Sequence, residues 1–204
     1  MSEENVKELV AGVDEASRGC LYGRVYIAAV IWDHGLTIQP PFPIRDSKKI
    51  TPARRNKLRH FIEEHAIDYC VTYMEHDEID KMNILQATMK GMHKAINGLK
   101  IRPHKLLIDG NRFISYIDHN TNQIIPHECI VGGDDIHIQI SAASILAKEI
   151  HDEYIRAMCS VDPLLDERYG LLKNKGYGTK QHMEGLRKYG PSPHHRITFN
   201  GVLN

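Results

Sequence analysis

The sequence predicts an α/β domain on a mixed sheet, with a more helical C-terminal part. Three observations carry this. Two β-branched-rich runs, residues 9–14 and 25–32, are parted by a Gly- and Arg-containing stretch and form an initial hairpin. Further strand-like runs then alternate with segments whose apolar residues recur every three or four positions. The last quarter carries helical patterning with no strand-like run.

Each element follows from its residues. Thr51-Pro52 opens a helix, threonine as cap and proline at the first helical position, and Leu58, Phe61 and Ile62 give it an apolar stripe. Residues 68–74 read as a third strand. Asp77 caps one long helix with Ile79, Met82, Leu85, Met89, Met92, Ile96 and Leu99 on its inner face. Lys105-Leu106-Leu107-Ile108-Asp109 is a short buried strand that ends on a carboxylate before Gly110. His127-Glu128-Cys129-Ile130-Val131 is another, running into Gly132-Gly133-Asp134-Asp135. A helix of roughly 20 residues follows, with small residues from Ser141 to Ser144 that permit close approach to a sheet. A loop rich in Lys, Asn and Gly leads to a final helix over residues 180–188. The expected organisation is a catalytic unit over residues 1–160 and a helical region over 161–204 packed on it.

Composition narrows the function. Of the 204 residues, 42% are hydrophobic and 25% charged, as in a globular domain with a packed core. No apolar run approaches the roughly 20 residues of a membrane span, and Met1-Ser2-Glu3-Glu4 lacks the pattern of a secretion signal, so a cytoplasmic monomer is expected. Cys20, Cys70, Cys129 and Cys159 form no Cys-x-x-Cys pair, which excludes a zinc ribbon or disulfide framework. The 13 histidines form no metal-ligand spacing. Net charge is zero, but the distribution is uneven. Residues 45–59 hold seven basic residues (Arg45, Lys48, Lys49, Arg54, Arg55, Lys57, Arg59) against Asp46, and residues 170–204 hold six against Glu184. Basic flanks around an acidic centre suit a nuclease, with cations for phosphates and carboxylates for metal.

Three carboxylate positions sit at or just past predicted strand ends: Asp14 with Glu15, Asp109, and Asp134 with Asp135. Strand ends of an α/β sheet converge on one edge, where sites form. Carboxylates placed together repel unless protonated or bridged by a cation, and oxygen-only ligands favour Mg²⁺ or Mn²⁺ over zinc. The pattern alone leaves open that these acids are turn residues and helix caps.

Asp14-Glu15-Ala16-Ser17-Arg18-Gly19 resembles the Asp-Glu-Ala-Gly-Arg-Gly signature of type 2 ribonuclease H. Asp46-Ser47-Lys48-Lys49, Leu107-Ile108-Asp109-Gly110 and Gly133-Asp134 follow in that family's order. So do Ala142-Ala143-Ser144-Ile145-Leu146-Ala147-Lys148, Lys175-Gly176-Tyr177-Gly178-Thr179 and Pro193-His194-His195-Arg196. The resemblance implies a mixed five-stranded sheet flanked by helices, with a helical C-terminal region. It implies four catalytic, metal-holding acids, Asp14, Glu15, Asp109 and Asp134, and two Mg²⁺ or Mn²⁺ ions. It further implies incision of DNA duplexes 5′ to embedded ribonucleotides and of RNA–DNA hybrids, leaving 3′-hydroxyl and 5′-phosphate ends.

Ser17, Arg18 and Gly19 would grip the ribonucleotide, Tyr177 would stack on the neighbouring sugar, and Arg45, Lys48, Lys49 and Lys175 would hold phosphates. Ser17 stands where the family has glycine, which costs about 1 kcal/mol or more if that position needs positive φ. Tyr22 and Arg24 flank Gly23 in place of a small residue and proline, and Gly132 replaces a lysine. His194-His195-Arg196 is expected to anchor the C-terminal segment. The type 3 family is disfavoured because it carries an extra N-terminal domain. A binding module without cleavage is disfavoured by the intact acid set.

Overall fold

The computed structural model describes residues 8–32 and 39–203; the acidic start at Met1-Ser2-Glu3-Glu4 lies outside them. Strand β1 (Val10–Ala16) pairs antiparallel with β2 (Val25–Ile31), Asp14 lying opposite Ala28. Helix α1 (Pro52–His65) leads to β3 (Asp68–Met74), which pairs antiparallel with β2. Helices α2 (His76–Met82) and α3 (Ile84–Asn97) then lead to β4 (Lys105–Asp109), parallel to β1. A small hairpin of β5 (Ile117–Asp118) and β6 (Gln123–Ile124) precedes β7 (His127–Ile130), parallel to β4. The main sheet therefore runs β3-β2-β1-β4-β7. Helix α4 (Ile138–Val161) crosses it, and α5 (Leu164–Tyr169), α6 (Leu171–Asn174) and α7 (Lys180–Tyr189) complete the chain.

The sheet is covered on both faces. Strand β2 is buried throughout, as expected of a strand sandwiched between helices. Val25, Ile27, Ala29 and Ile31 pack towards α3 with Met92, Ala95 and Ile96. Tyr26, Ala28 and Val30 pack the other way, against Leu58 and Ile62 of α1 and Ala143, Ile145 and Ala147 of α4. A third cluster joins Leu21 and Tyr22 to Ile155, Leu165, Tyr169, Leu171 and Leu186, so the C-terminal helices pack on the loop after β1. Gly12 lets α4 reach the sheet: a Cβ there would stand 2.2 Å from the Gln139 carbonyl carbon. No helix among the described residues is long and apolar enough to cross a membrane.

Two expectations change. The long helix capped by Asp77 is two helices. Glu75 takes the cap position, with a reciprocal capping box to Glu78, and the chain breaks at Asn83 with φ 70°. The Asn83 side chain then accepts from Gln86 N and starts α3. The apolar spacing carries on across the break because both helices pack on the same core, which hid the junction. The loop before the last helix also contains α5 and α6, each too short to set up a periodic pattern.

Candidate active site

Strand and turn geometry gather the acids at one end of the parallel strands. Asp14 and Glu15 lie near the end of β1, Asp109 is the last residue of β4, and Asp134 follows β7 in a 3-10 turn over Gly133–Asp135. The Asp109 Oδ1 accepts from Gly133 N at 2.8 Å, tying the turn that carries Asp134 to the end of β4. The Ser141 hydroxyl donates to the Asp134 carbonyl at 2.6 Å, fixing the same turn to α4. Gly132 has φ 68°, so glycine suits that turn where a lysine would be strained.

The acids act on one another. Asp14 is 4% exposed, and its carboxyl is pushed well above the usual range by burial, then by Glu15 and Asp109. Burial also raises Glu15, with Asp109 adding to the shift and Arg18 opposing it. Asp134 is raised by burial, then by Asp46 and Asp109. Asp109 is thus the common neighbour of the other three. Successive strand residues face opposite sides, and Asp14, paired with Ala28, takes the α4 side. Glu15 turns to Arg18, 3.5 Å away. The set is coupled but open: among the described residues, no three His, Cys, Asp or Glu groups are gathered into a ready-made metal cage.

A cavity of ≈ 550 Å³ opens beside Glu15 and is lined by Ser17, Arg18, Gly19, Lys48, Lys148 and Tyr177, among others. Arg18 and Lys48 are exposed there. Lys49 instead meets the carboxylate of Asp135. Arg45 is exposed but off the cavity wall, and Lys175, half-buried with φ 54°, is also off it. The basic run of residues 45–59 is not wholly a solvated patch. Arg55 is buried against Glu149 and Asp152, and Arg59 bonds Glu63 at 2.8 Å and Glu153 at 2.7 Å.

Ser17 answers the question posed by its glycine counterpart. It has φ 69°, the left-handed region, and is buried. Its hydroxyl lies against the Ala16 carbonyl and donates to the Arg24 carbonyl at 2.8 Å, turning inward rather than into the cavity. Arg24 forks onto Glu75, Nη2 to Oε1 at 2.7 Å, and stacks 3.9 Å above the Tyr73 ring. Tyr22 is fully buried beside His194 and His195.

A model of the family described as Ribonuclease HII matches residues 11–202. The chain belongs to the ribonuclease HII family. It is 46% identical to the Ribonuclease HII of Parabacteroides distasonis over 93% of this chain and 88% of that protein. It is 43% identical to that of Bacteroides thetaiotaomicron over 97% and 95%. Among solved structures, the ribonuclease H2 from Pyrococcus horikoshii OT3 superposes with a TM-score of 0.75 at 27% identity, covering 95% of both chains. The Bst-RNase HIII bound to Mn²⁺ shares the fold at 17% identity with a TM-score of 0.66, over 96% of this chain and 68% of that one. The enzyme is a metal-dependent endoribonuclease.

For this ribonuclease HII, sequence reading passed over Arg55, Ser144 and Lys148 as site residues. Arg55 donates to the carbonyls of Ser47 at 3.1 Å and Ile50 at 3.3 Å, and to Asp152 at 3.0 Å, so it staples the Lys48 loop to α4. Ser144 bonds Ser47 across 2.9 Å. Lys148 bonds Asp152 at 2.7 Å and stands 5.8 Å above the Tyr177 ring. The signals at hand were the Ala142–Lys148 motif, which holds Ser144 and Lys148, and the i,i+4 spacing of Lys148 and Asp152. Arg196 anchors more than the C-terminal segment: fully buried, it donates to Gly23 O at 2.8 Å and Arg18 O at 3.0 Å, clamping the loop after β1.

Proposed function

We propose that this enzyme hydrolyses the phosphodiester 5′ to ribonucleotides embedded in DNA duplexes, and the RNA strand of RNA–DNA hybrids, leaving 3′-hydroxyl and 5′-phosphate ends. The observation that carries the reading is the gathering of Asp14, Glu15, Asp109 and Asp134 at one end of the parallel strands, with Glu15 on the wall of a cavity bearing Arg18 and Lys48. The donors fit hard divalent cations: all are oxygens, and Asp14 is a buried carboxyl whose charge needs a counter-ion. Asp14, Glu15, Asp109 and Asp134 would hold two Mg²⁺ or Mn²⁺. Bound there, the ions would polarise the phosphodiester and lower the pKa of a water.

The chain's own groups do the rest. Lys48, exposed on the cavity wall, neutralises a backbone phosphate, and Arg18 opposite the sugar helps grip the ribonucleotide. Gly19 leaves room for the sugar, since only Tyr177, 3.8 Å away, approaches where its Cβ would stand. Ser17 shapes the loop through its hydroxyl, and the loop's backbone groups read the 2′-hydroxyl. Tyr177, 39% exposed, offers its ring to the neighbouring sugar.

The test incubates the protein with Mg²⁺ or Mn²⁺ and a DNA duplex carrying one ribonucleotide, alongside an RNA–DNA hybrid. Incision on the 5′ side of the lone ribonucleotide is the expected result. Cutting of the hybrid alone would remove the junction reading, and binding without cutting would remove the catalytic one.

A further inference from the structure

Tyr177 sits in a tight turn held on one side by the loop after β1: Leu21 N donates to Gly176 O at 2.8 Å, and Tyr177 N donates to Asn174 O at 3.0 Å. Lys175 and Gly176 have φ 54° and 86°, and Gly178 follows. A chain of hydrogen bonds from the C-terminal region reaches its other side, ending on the Tyr177 carbonyl, which also accepts from Thr179 N at 2.8 Å. His182 on α7 and His195 in the C-terminal segment are buried at 0% and 1% exposure, their Nε2 atoms 2.9 Å apart. The His195 Nδ1 is met by the backbone N–H of Ser192 at 2.9 Å and by the Ser192 hydroxyl at 2.8 Å. The His182 Nδ1 lies 3.0 Å from the Tyr177 carbonyl.

The partners fix both tautomers. A backbone N–H only donates, so Nδ1 of His195 accepts and its proton sits on Nε2. Across the contact, Nε2 of His182 accepts, which leaves its proton on Nδ1 facing a carbonyl that only accepts. One assignment satisfies every partner, and it needs both rings neutral. Burial enforces that, with His195 pulled down to about 3. The rings of Tyr169 and Tyr22 pack around the pair, and His194, His76 and Arg196 are the other titratable groups nearby.

We propose that His182 is a positioning residue for Tyr177, its tautomer set by His195 and Ser192, so that a relay in the C-terminal region aims the ring at the substrate. The proposal rests on the reading of Tyr177 as a contact to the sugar beside the ribonucleotide.

The test compares His182→Asn, which keeps an N–H where Nδ1 stands, with His182→Gln, which keeps a polar group only at the Nε2 end. On the lone-ribonucleotide duplex, His182→Gln should lose about tenfold or more in kcat/KM while His182→Asn stays within about twofold of the parent. In a Tyr177→Ala background, His182→Gln should cause no further loss. Equal losses in the two His182 variants, or a loss repeated in full without the Tyr177 ring, would overturn the relay alone. A fully active Tyr177→Ala would sink the relay together with the assigned role of Tyr177. Imidazole nitrogen chemical shifts of the unaltered protein give a test that needs no variant. Protons on Nδ1 of His182 and Nε2 of His195 are expected, and the opposite pattern would overturn the relay.

Discussion

Asp14 shows how far one side chain can be read. Its carboxyl is raised by burial and by two neighbouring acids, and an acid raised by folding contributes stability that is whole below its unfolded value, about 3.9, and is lost as pH rises through the folded one. At neutral pH the group therefore opposes folding. Asp14→Asn should abolish incision and, in chelator-treated buffer, raise the thermal midpoint by about 2 °C or more, read by calorimetry. Mg²⁺ or Mn²⁺ should raise the midpoint of the parent, and removal by chelator should reverse it, with a smaller response in Asp14→Asn. Ser17 gives a second outcome. Ser17→Gly loses the bond to Arg24 but sheds the Cβ that strains the left-handed turn, whereas Ser17→Ala loses the bond and keeps that Cβ, a steric cost of about 1–2 kcal/mol. Urea unfolding should place alanine below glycine. The sequence marked Ser17 as a departure and posed the φ question, but the inward turn of its hydroxyl depends on the Arg24 carbonyl, seven residues on.

At the scale of elements, β1, β2 and β4 were legible because strand burial writes itself as apolar runs, β3 through its β-branched and aromatic residues although it is mostly half-buried, and α4 because its small residues forecast close packing. Asn83 was not: a single residue at φ 70° splits α2 from α3 without disturbing the apolar spacing on either side. The link between α1 and α4 was hidden for a different reason. Arg55 lies 94 residues from Glu149 and reads in sequence as one cation in a basic run. Arg55→Met would leave Glu149 buried at 3% exposure without its cation, which costs about 3–5 kcal/mol. It would also free the Lys48 loop from α4. Denaturant midpoints should show the first effect and a raised KM the second, while Arg55→Lys, lacking the planar fork, should fall between.

Over the whole molecule, the four acids come from separated stretches of chain, yet motif order alone brought them to one list. What no motif conveyed is that they form an open set, with Glu15 held by Arg18, since side-chain direction follows from local partners. The buried histidines set the response to acid. Folding depresses His182 and His195, so their contribution is whole above the unfolded imidazole value of about 6.5 and is lost as pH falls below it. Unfolding free energy should drop as pH falls below about 6.5, for His195 by up to about 1.4 kcal/mol per pH unit until pH nears its folded value of about 3. His195→Gln should flatten that slope, as measured by urea titration at several pH values. The clamp by Arg196 has a temporal side as well. Arg18 and Gly23 emerge early from a ribosome, whereas the guanidinium that holds them is separated from their carbonyls by 178 and 173 residues. A nascent chain can lay down its first hairpin long before that cation arrives, so the loop after β1 goes without its Arg196 clamp until the chain has grown past residue 196.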